Sequence, residues 1–492
     1  MRGTSVVCLG DVMALIALIL LPAFGGLVAF FAAGKGERER WITIATFALM
    51  LVLLIAIVAT GDEGRWYDKV SYPWVPSFGI SLEFAIDGLS AAMVALAAGL
   101  GIISVMASWS EIRTQSGLFH ASLCWTVAAS VGVFLSFDLL IFAFFWEAML
   151  VPAFTLIAVW GHGDKEGAAL KFLIFNAVAG FGLLAASFAL AAMADHMTFS
   201  AFELAEMKLS TPVQVWMLLG FSLAFMVKLS VPPFHAWLPE AHTLAPTAGS
   251  ILLAGLLLKT GAYGLFRFAP MLFPDGLAAV SPYGIALGAA GALYGGLVAC
   301  GQNDAKRLVA YTSIAHMSIV LMGISAGVHY ALAGAAVEMI AHSFSASALF
   351  LLIGALYERT HTRDLRQLGG LQQTAPKFAA AFALFCSALL ALPGTANFVG
   401  EALVVVGIFQ VNWVFALLAL STLVVSVIYA TRLLKGLVFG LPQPKPPLAD
   451  MTWREYWPIL VMGIGTLIVG LYPQSLLALL EPAIKAALIQ TP

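Results

Sequence analysis

Phe221-Ser-Leu-Ala-Phe-Met-Val-Lys228-Leu-Ser-Val-Pro232-Pro233-Phe-His235-Ala-Trp-Leu-Pro-Glu240-Ala-His242 decides what kind of molecule this chain forms. The apolar run it closes, 213–231, is long enough to cross a bilayer, which takes about 20 mainly apolar residues. Yet a lysine sits near its end and two prolines break it. Proline lacks the N–H that a helix needs, and so ends or kinks it. In hydrocarbon, backbone groups freed in this way are tolerated only where protein or a wet cavity satisfies them. A lysine beside a helix break therefore predicts a route for a charged species rather than a passive anchor.

Apolar stretches recur on both sides of this run, near 12–33, 41–60, 88–108, 118–136, 139–160, 168–194, 244–266, 282–300, 308–326, 329–357, 378–410, 413–434 and 456–480. With 61% hydrophobic and 10% charged residues in 492, the chain is far from a soluble domain, where about 25% are charged. The expected fold is an all-α polytopic membrane protein of about 14 transmembrane helices. The first stretch is too long for the core of a signal peptide and reads as a retained span. A second interruption, Leu392-Pro393-Gly394-Thr-Ala-Asn397, falls five spans after the first. Broken helices at corresponding places predict two structural repeats, and an odd repeat length inverts the second copy. The expected division is three N-terminal helices in 1–115, a first five-helix repeat in 116–270, a second in 271–437, and a connecting loop with a last helix in 438–492.

Net charge is −2 with no basic or acidic block, which sets nucleic acid aside as a partner. Of the 24 lysines and arginines, sixteen fall in loops after odd-numbered stretches, Lys35, Lys306 and Lys445 among them. Six, including Arg2 and Arg267, fall in the other loops and the tails. Positive residues are retained in the cytoplasm, so both termini are expected on the opposite side. Cys8, Cys124, Cys300 and Cys386 lack the CxxC spacing of a metal or redox site and read as packed small hydrophobes.

Lys228 and Lys259 are the two basic residues left inside spans. Glu147, in Phe144-Phe-Trp-Glu147-Ala-Met-Leu-Val-Pro152, and Glu401, in Asn397-Phe-Val-Gly-Glu401, share their situation. A charge at the bilayer centre costs about 2.5–3.5 kcal/mol on insertion scales, and such residues mark ion or proton pathways by default. The competing reading is structural ion pairs that hold helices together. If Glu147 and Lys228 are close, separating them favours proton release by the lysine and uptake by the acid. His316 and His342 add groups that titrate near neutrality, although a buried histidine is often only a satisfied polar residue. Glu338 lies one helical turn before His342, on the same face, and is expected to tune that histidine or line the cavity. His235, Glu240 and His242 invite a metal reading, but they lack the HExxH pattern of a zinc helix. His235 and His242 are expected instead to line a water-accessible entrance, with no metal site and no catalytic residue in the chain.

The run from Phe225 through His242-Thr-Leu-Ala-Pro246 resembles the signature of the antiporter-like subunits of respiratory complex I and of Mrp-type cation/proton antiporters. Ile86-Asp87-Gly-Leu-Ser90, Gln302-Asn-Asp-Ala-Lys306-Arg-Leu-Val-Ala-Tyr311-Thr-Ser-Ile-Ala-His316 and Ala341-His342-Ser-Phe-Ser-Ala extend the likeness along most of the chain. Phe-Phe-Trp-Glu147 and Gly394-Thr-Ala-Asn-Phe-Val-Gly-Glu401 look like the M-type subunits, counterparts of mitochondrial subunit 4. The related L and N subunits carry a lysine where Glu401 stands, and L adds a long lateral helix.

The resemblance implies proton-relay roles for Glu147, Lys228, Lys259, His316, His342 and Glu401, driven by quinone reduction elsewhere in a proton-pumping NADH:quinone oxidoreductase. It implies no cofactor in this chain, with flavin, iron–sulfur clusters and quinone held by other subunits. Its implied partners are other membrane subunits, especially L and N, in a bacterial inner membrane with both termini periplasmic. The rival readings are the D-type component of an Mrp sodium/proton antiporter, a component of a membrane-bound hydrogenase and, more distantly, a membrane-embedded enzyme.

Overall fold

A helix rises 1.5 Å per residue, so about 20 residues span the roughly 30 Å hydrocarbon core, and the chain repeats this length many times. The computed structural model describes residues 9–34, 37–61, 64–441 and 448–488, the side chains of 9–13 excepted. Cys8, Arg2, Lys35 and Lys445 lie outside the described residues.

The elements are α1 (Leu9–Ala32), α2 (Arg38–Thr60), a hairpin of β1 (Asp68–Val75) and β2 (Ile80–Ile86), α3 (Gly88–Ala107), α4 (Ser116–Leu135), α5 (Leu139–Ala148), α6 (Leu150–Trp160), α7 (Lys165–Ala191), α8 (Ala201–Leu204) and α9 (Thr211–Leu229). There follow α10 (Leu238–Leu244), α11 (Thr247–Leu252), a π turn at Leu253–Leu257, α12 (Leu258–Leu272), α13 (Pro274–Cys300), α14 (Ala305–Ala326) and α15 (His329–Thr360). The chain continues through α16 (Leu371–Thr374), α17 (Pro376–Leu389), α18 (Ala396–Val411), α19 (Trp413–Leu437), α20 (Trp453–Leu471) and α21 (Gln474–Ala486). Two spans are composite, Leu139–Trp160 from α5 and α6 and Thr247–Leu272 from α11, the π turn and α12.

Among the described residues, 12 helices are long and apolar enough to cross a membrane. α20 and α21 count as a thirteenth only if taken together, since they meet at 76°. α17 and α18, which occupy the expected twelfth span, are each shorter than a full crossing. Full-length helices alone thus do not reach the expected count of about fourteen, and the last expected span, 456–480, turns sharply after Leu471.

Both predicted breaks are present, and the backbone around each is satisfied locally. After α9, Ser230 is left-handed (φ 62°), Val231 N–H donates to the Met226 carbonyl at 3.1 Å, and the buried Trp237 indole donates to the Val227 carbonyl at 2.9 Å. Between α17 and α18, Ala391 (φ 53°) and Gly394 (φ 98°) turn the chain, and Leu392 N–H reaches the Ser387 carbonyl at 2.9 Å. At each break these contacts take up part of the backbone that the helix end frees, as a span in hydrocarbon requires.

The most apolar stretches of the span formed by α11, the π turn and α12, and of α14, are wholly buried and that of α15 nearly so, whereas only 33% of the corresponding stretches of α2, α7 and α19 is buried. The outer helices carry exposed apolar side chains such as Ile55, Val178 and Val424, as a lipid-facing surface requires. α15 and α18 approach closely at Gly334 and Gly400, where a Cβ would collide with Val404 N and with Glu338 respectively. Small residues at such crossings let helix backbones meet in a membrane. Cys124 and Cys386 are free and buried, and Cys300 is free and partly buried, in keeping with packed thiols.

The hairpin was not expected. β1 and β2 pair antiparallel from Asp68↔Ile86 to Val75↔Ile80. Asp138 joins it to the membrane helices, its carboxylate accepting from Ser81 N–H at 2.9 Å while capping α5 through the N–H groups of Leu140 and Ile141. Arg267 also departs from expectation. Instead of lying in a loop it is buried inside α12, where it donates twice to Asp87, at 2.6 and 2.7 Å.

Candidate functional site

α5 gives way to α6 at Met149, where Pro152 has no N–H to donate to the Ala148 carbonyl. Glu147 stands at this discontinuity, half-buried, in the wall of a cavity of about 680 Å³ otherwise lined by apolar groups such as Phe84, Phe145, Phe181 and Leu184. The carboxylate turns toward α7, and a Cβ at Gly180 would overlap its Oε1. Lys228, on the last turn of α9, is fully buried; its Nζ has no hydrogen-bond partner and lies 5.0 Å from the Trp146 ring centroid. Glu147 and Lys228 therefore flank Trp146 without touching. No ion-pair contact within 4 Å joins them among the described residues, and the indole ring stands beside the ammonium at cation–π range.

Gly180 was not singled out from sequence; a glycine inside an apolar helix gives no sign of what it faces. Gly180→Ala moves the flexible end of Glu147 rather than the backbone. It is expected to leave assembly intact while lowering turnover by up to about 10²-fold, the cost of small misplacements in a reacting geometry. Native gels beside turnover in membranes check it, and unchanged turnover would show that the carboxylate's direction is immaterial.

Lys259 follows directly on the π turn. π turns inside α-helices occur frequently at functional sites, and here the loosened carbonyls are taken up by side chains. Lys259 Nζ donates to the Ala254 carbonyl at 2.7 Å, and the Ser343 hydroxyl from α15 donates to the Gly255 carbonyl at 2.8 Å. Lys259 Nζ is also 2.6 Å from His342 Nδ1, so one of the two nitrogens donates a hydrogen bond to the other. His342 Nε2 has no partner.

The His316 ring centroid is 5.5 Å from that of His342. His316 Nδ1 lies 2.9 Å from Glu401 Oε1 and 3.2 Å from Glu338 Oε1, ion-pair contacts whose angles fall outside hydrogen-bond geometry. Asn397 Nδ2, from the first turn after the break, donates to Glu338 Oε1 at 2.9 Å. Glu338 thus serves His316 rather than His342, its neighbour on the same helix. The reason is that α15 packs against α18, and its Glu338 face looks toward Asn397 and Gly400. His316, Glu338 and Glu401 place ligand-type atoms within 4.8 Å of one another. Among the described residues they are the one such trio, and could hold a divalent cation or, equally, protons.

His235, Glu240 and His242 do not converge. His235 Nε2 is 3.1 Å from the Tyr294 hydroxyl, Glu240 pairs with Lys171 at 2.7 Å, and His242 is fully buried and stacked flat on Phe350 at 4.7 Å. Both His242 nitrogens lack partners. The turn between α10 and α11 is gripped by groups that sequence reading passed over. Lys306 Nζ donates to the Ala245 carbonyl at 2.6 Å, and both oxygens of Glu111 accept from Thr247 N–H at 3.2 Å. Burial pushes the Glu111 carboxyl above its usual range, against the opposing pull of Lys306 and of that N–H. Lys306, expected in a loop and seen as part of the Gln302–His316 motif, is instead buried in the first turn of α14, and Glu111 carried no signal.

A buried lysine at each of two adjacent spans, a histidine bridge and a carboxylate at a helix break define a polytopic membrane protein of the ion-translocating type. A family model described as NADH:quinone oxidoreductase/Mrp antiporter, TM, matches residues 136–428. The chain is 43% identical over 480 residues to NADH-quinone oxidoreductase subunit M of Pseudomonas aeruginosa, with 94% of each chain covered. It is 42% identical over 481 residues to the subunit of the same name from Escherichia coli, again with 94% of each covered. Among solved structures it resembles a chain of respiratory complex I from Thermus thermophilus, with TM-score 0.87, 28% identity, and 96% of this chain and 99% of that chain covered. The chain belongs to the NADH:quinone oxidoreductase/Mrp antiporter family, in the branch of the subunit M proteins.

Proposed function

We propose that this chain is a proton-translocating membrane subunit of an NADH:quinone oxidoreductase, in which quinone reduction on other chains drives proton transfer through Glu147, Lys228, Lys259, His342, His316 and Glu401. The observation that carries the reading is the contact series Lys259–His342, then His316–Glu338–Glu401, which sets titratable groups from α12, α14, α15 and α18 side by side inside an otherwise apolar core. Within it His342 and Lys259 exchange one proton along their 2.6 Å contact. The gap between His342 and His316, with unpartnered Nε2 atoms on both rings, is of the size a bridging water closes. Glu147 and Lys228 stand upstream. Closing the distance between them favours the charged lysine and separating them favours its proton release, so a charge displaced at Glu147 is felt along the row through a medium of low dielectric.

Glu338 enters this reading as a second carboxylate for His316. His242 and the turn held by Glu111 and Lys306 supply an approach to Lys259 from the odd-loop end, and His235 lines its rim. We place that end in the cytoplasm and both termini in the periplasm of a bacterial inner membrane, on the loop charges. Subunits L and N are the neighbours we expect, and the flavin, iron–sulfur clusters and quinone belong to other chains. The division into two inverted repeats, 116–270 and 271–437, is part of the same proposal.

The test is to tag the chain, isolate it from its own membranes in mild detergent and reconstitute what comes with it. NADH:quinone reductase activity that co-purifies and acidifies or alkalinises the vesicle lumen on NADH addition is expected. Sodium-dependent proton exchange with no NADH-linked activity would overturn the proposal in favour of an antiporter.

A further inference from the structure

Buried polar atoms without partners cluster on the proposed relay: Lys228 Nζ, both nitrogens of His242, Nε2 of His316 and His342, and an oxygen each of Glu147, Glu338 and Glu401. One buried polar cluster is the opposite. Asp87 at the start of α3, Ser90 one turn on, and Tyr263 and Arg267 on α12 have none of their side-chain atoms unpartnered. Arg267 donates to both Asp87 oxygens and lies 3.3 Å from the Ser90 hydroxyl and from the Tyr263 hydroxyl. The Tyr263 hydroxyl donates to the Phe134 carbonyl at 2.7 Å and meets the Ser90 hydroxyl at 2.9 Å. Around the guanidinium stand the rings of Tyr263, Phe137 and Trp66, at 5.1, 5.5 and 5.7 Å.

The place of this cluster gives it meaning. Lys259, Tyr263 and Arg267 recur every four residues on α12 and so share one face. Arg267 stands about 12 Å beyond Lys259 along the axis, at 1.5 Å per residue, toward the hairpin end of the bundle. Arg65 also lies beside Trp66, its guanidinium 4.5 Å from the ring and its buried Nε unpartnered, close enough to Arg267 and Asp87 to feel both charges. Two guanidinium groups against one carboxylate leave a positive surplus. An arginine neither loses its proton nor accepts another, and fixed positive charge in a narrow polar passage excludes protons.

We infer that Asp87, Ser90, Tyr263 and Arg267 form a proton seal, a saturated cationic plug that closes Lys259 off from the hairpin end of the bundle. Protons that reach Lys259 are then kept from the hairpin end and pass on toward His342. The inference rests on the relay reading of Lys259. A structural ion pair alone would not require the positive surplus, nor would it need to lie on the lysine's own helix face.

The test uses the intact assembly in proteoliposomes without NADH, with a potassium diffusion potential imposed and lumenal pH followed by a dye. Arg267→Gln is expected to raise passive proton entry several-fold over wild type, Arg267→Lys to stay tight, and Arg267→Gln combined with Lys259→Ala to return to the wild-type rate. If Arg267→Gln does not assemble, the neutral pair Asp87→Asn/Arg267→Gln, which keeps hydrogen bonds, is read in the same way. An assembled variant that remains tight overturns the seal, and so does a leak that persists without Lys259. Lys259→Ala alone, with NADH-driven pumping measured in the same vesicles, tests the relay separately. Normal pumping there would sink the relay reading without touching the result on Arg267.

Discussion

Glu147→Gln is expected to assemble normally and to lose most of its NADH-driven proton translocation, with quinone-dependent NADH oxidation falling in step. Glutamine keeps the shape of the side chain, so the apolar wall of the cavity around it and the contact with Gly180 are preserved. What disappears is the one group there able to carry a charge or take up a proton. A positioned proton-transfer group is worth about 10²–10⁴-fold, and here its loss also removes the partner whose movement biases Lys228. Turnover and lumenal pH change, measured on the same vesicles, settle it. A variant that oxidises NADH at the full rate but pumps nothing would mean that Glu147 carries protons without being coupled to the redox reaction. A variant unchanged in both would remove Glu147 from the mechanism.

Lys228→Met is expected to make the assembly more resistant to heat and to abolish its function. Lys228 Nζ is fully buried, without a hydrogen-bond or ion-pair partner among the described residues, and stands beside the ring of Trp146. Keeping a cation there costs stability that no ion pair returns, whereas methionine fills nearly the same space with apolar atoms. Exchanging buried charge for well-packed apolar side chains is often neutral or stabilising by about 1–4 kcal/mol. The expected readout is an unchanged or raised midpoint of thermal inactivation, together with turnover reduced at least about tenfold. A lowered midpoint would mean that the lysine has a structural partner in the assembly, and the bland reading of these residues as helix-packing charges would gain ground. Activity and stability moving in opposite directions is the signature of a residue kept for function.

How far all this was legible depends on the length of the signal. Long apolar stretches and the prolines at 232–233 and 393 announce spans and breaks directly, because lipid leaves the backbone few alternatives. Charged residues within those stretches announce the site for the same reason. The hairpin escaped because its strands are eight and seven residues long and sit between spans, far short of the about 20 residues that mark a crossing. Its alternating Val70, Tyr72 and Leu82, Phe84 and the turn at Gly79 were in plain view. The π turn lies in Leu252-Leu-Ala-Gly-Leu-Leu-Leu258, where one glycine is the only irregularity. Partner choice was least legible. That Arg267 meets Asp87 across 180 residues, or that Glu338 meets His316 and not the histidine one turn away, follows from which helix faces touch, and a single sequence does not contain that.

His316 between Glu338 and Glu401 has an arithmetic of its own. With two acids and one imidazole, the cluster is electrically neutral only when it holds two protons beyond the one a neutral imidazole carries, and it has one negative charge when it holds one. Its neighbour, the Lys259–His342 couple, counted in the same way, is neutral when it holds no proton beyond those of a neutral amine and a neutral imidazole, and positive after it gains one. In a core that penalises net charge, the two units hold complementary numbers, so that a proton added to one is balanced by a vacancy in the other. On the relay proposed above, the proton that leaves past Glu401 would not be the one that arrived at Lys259. A vacancy would cross the middle of the protein, and a labelled hydrogen entering at one end would emerge only after the store ahead of it had turned over.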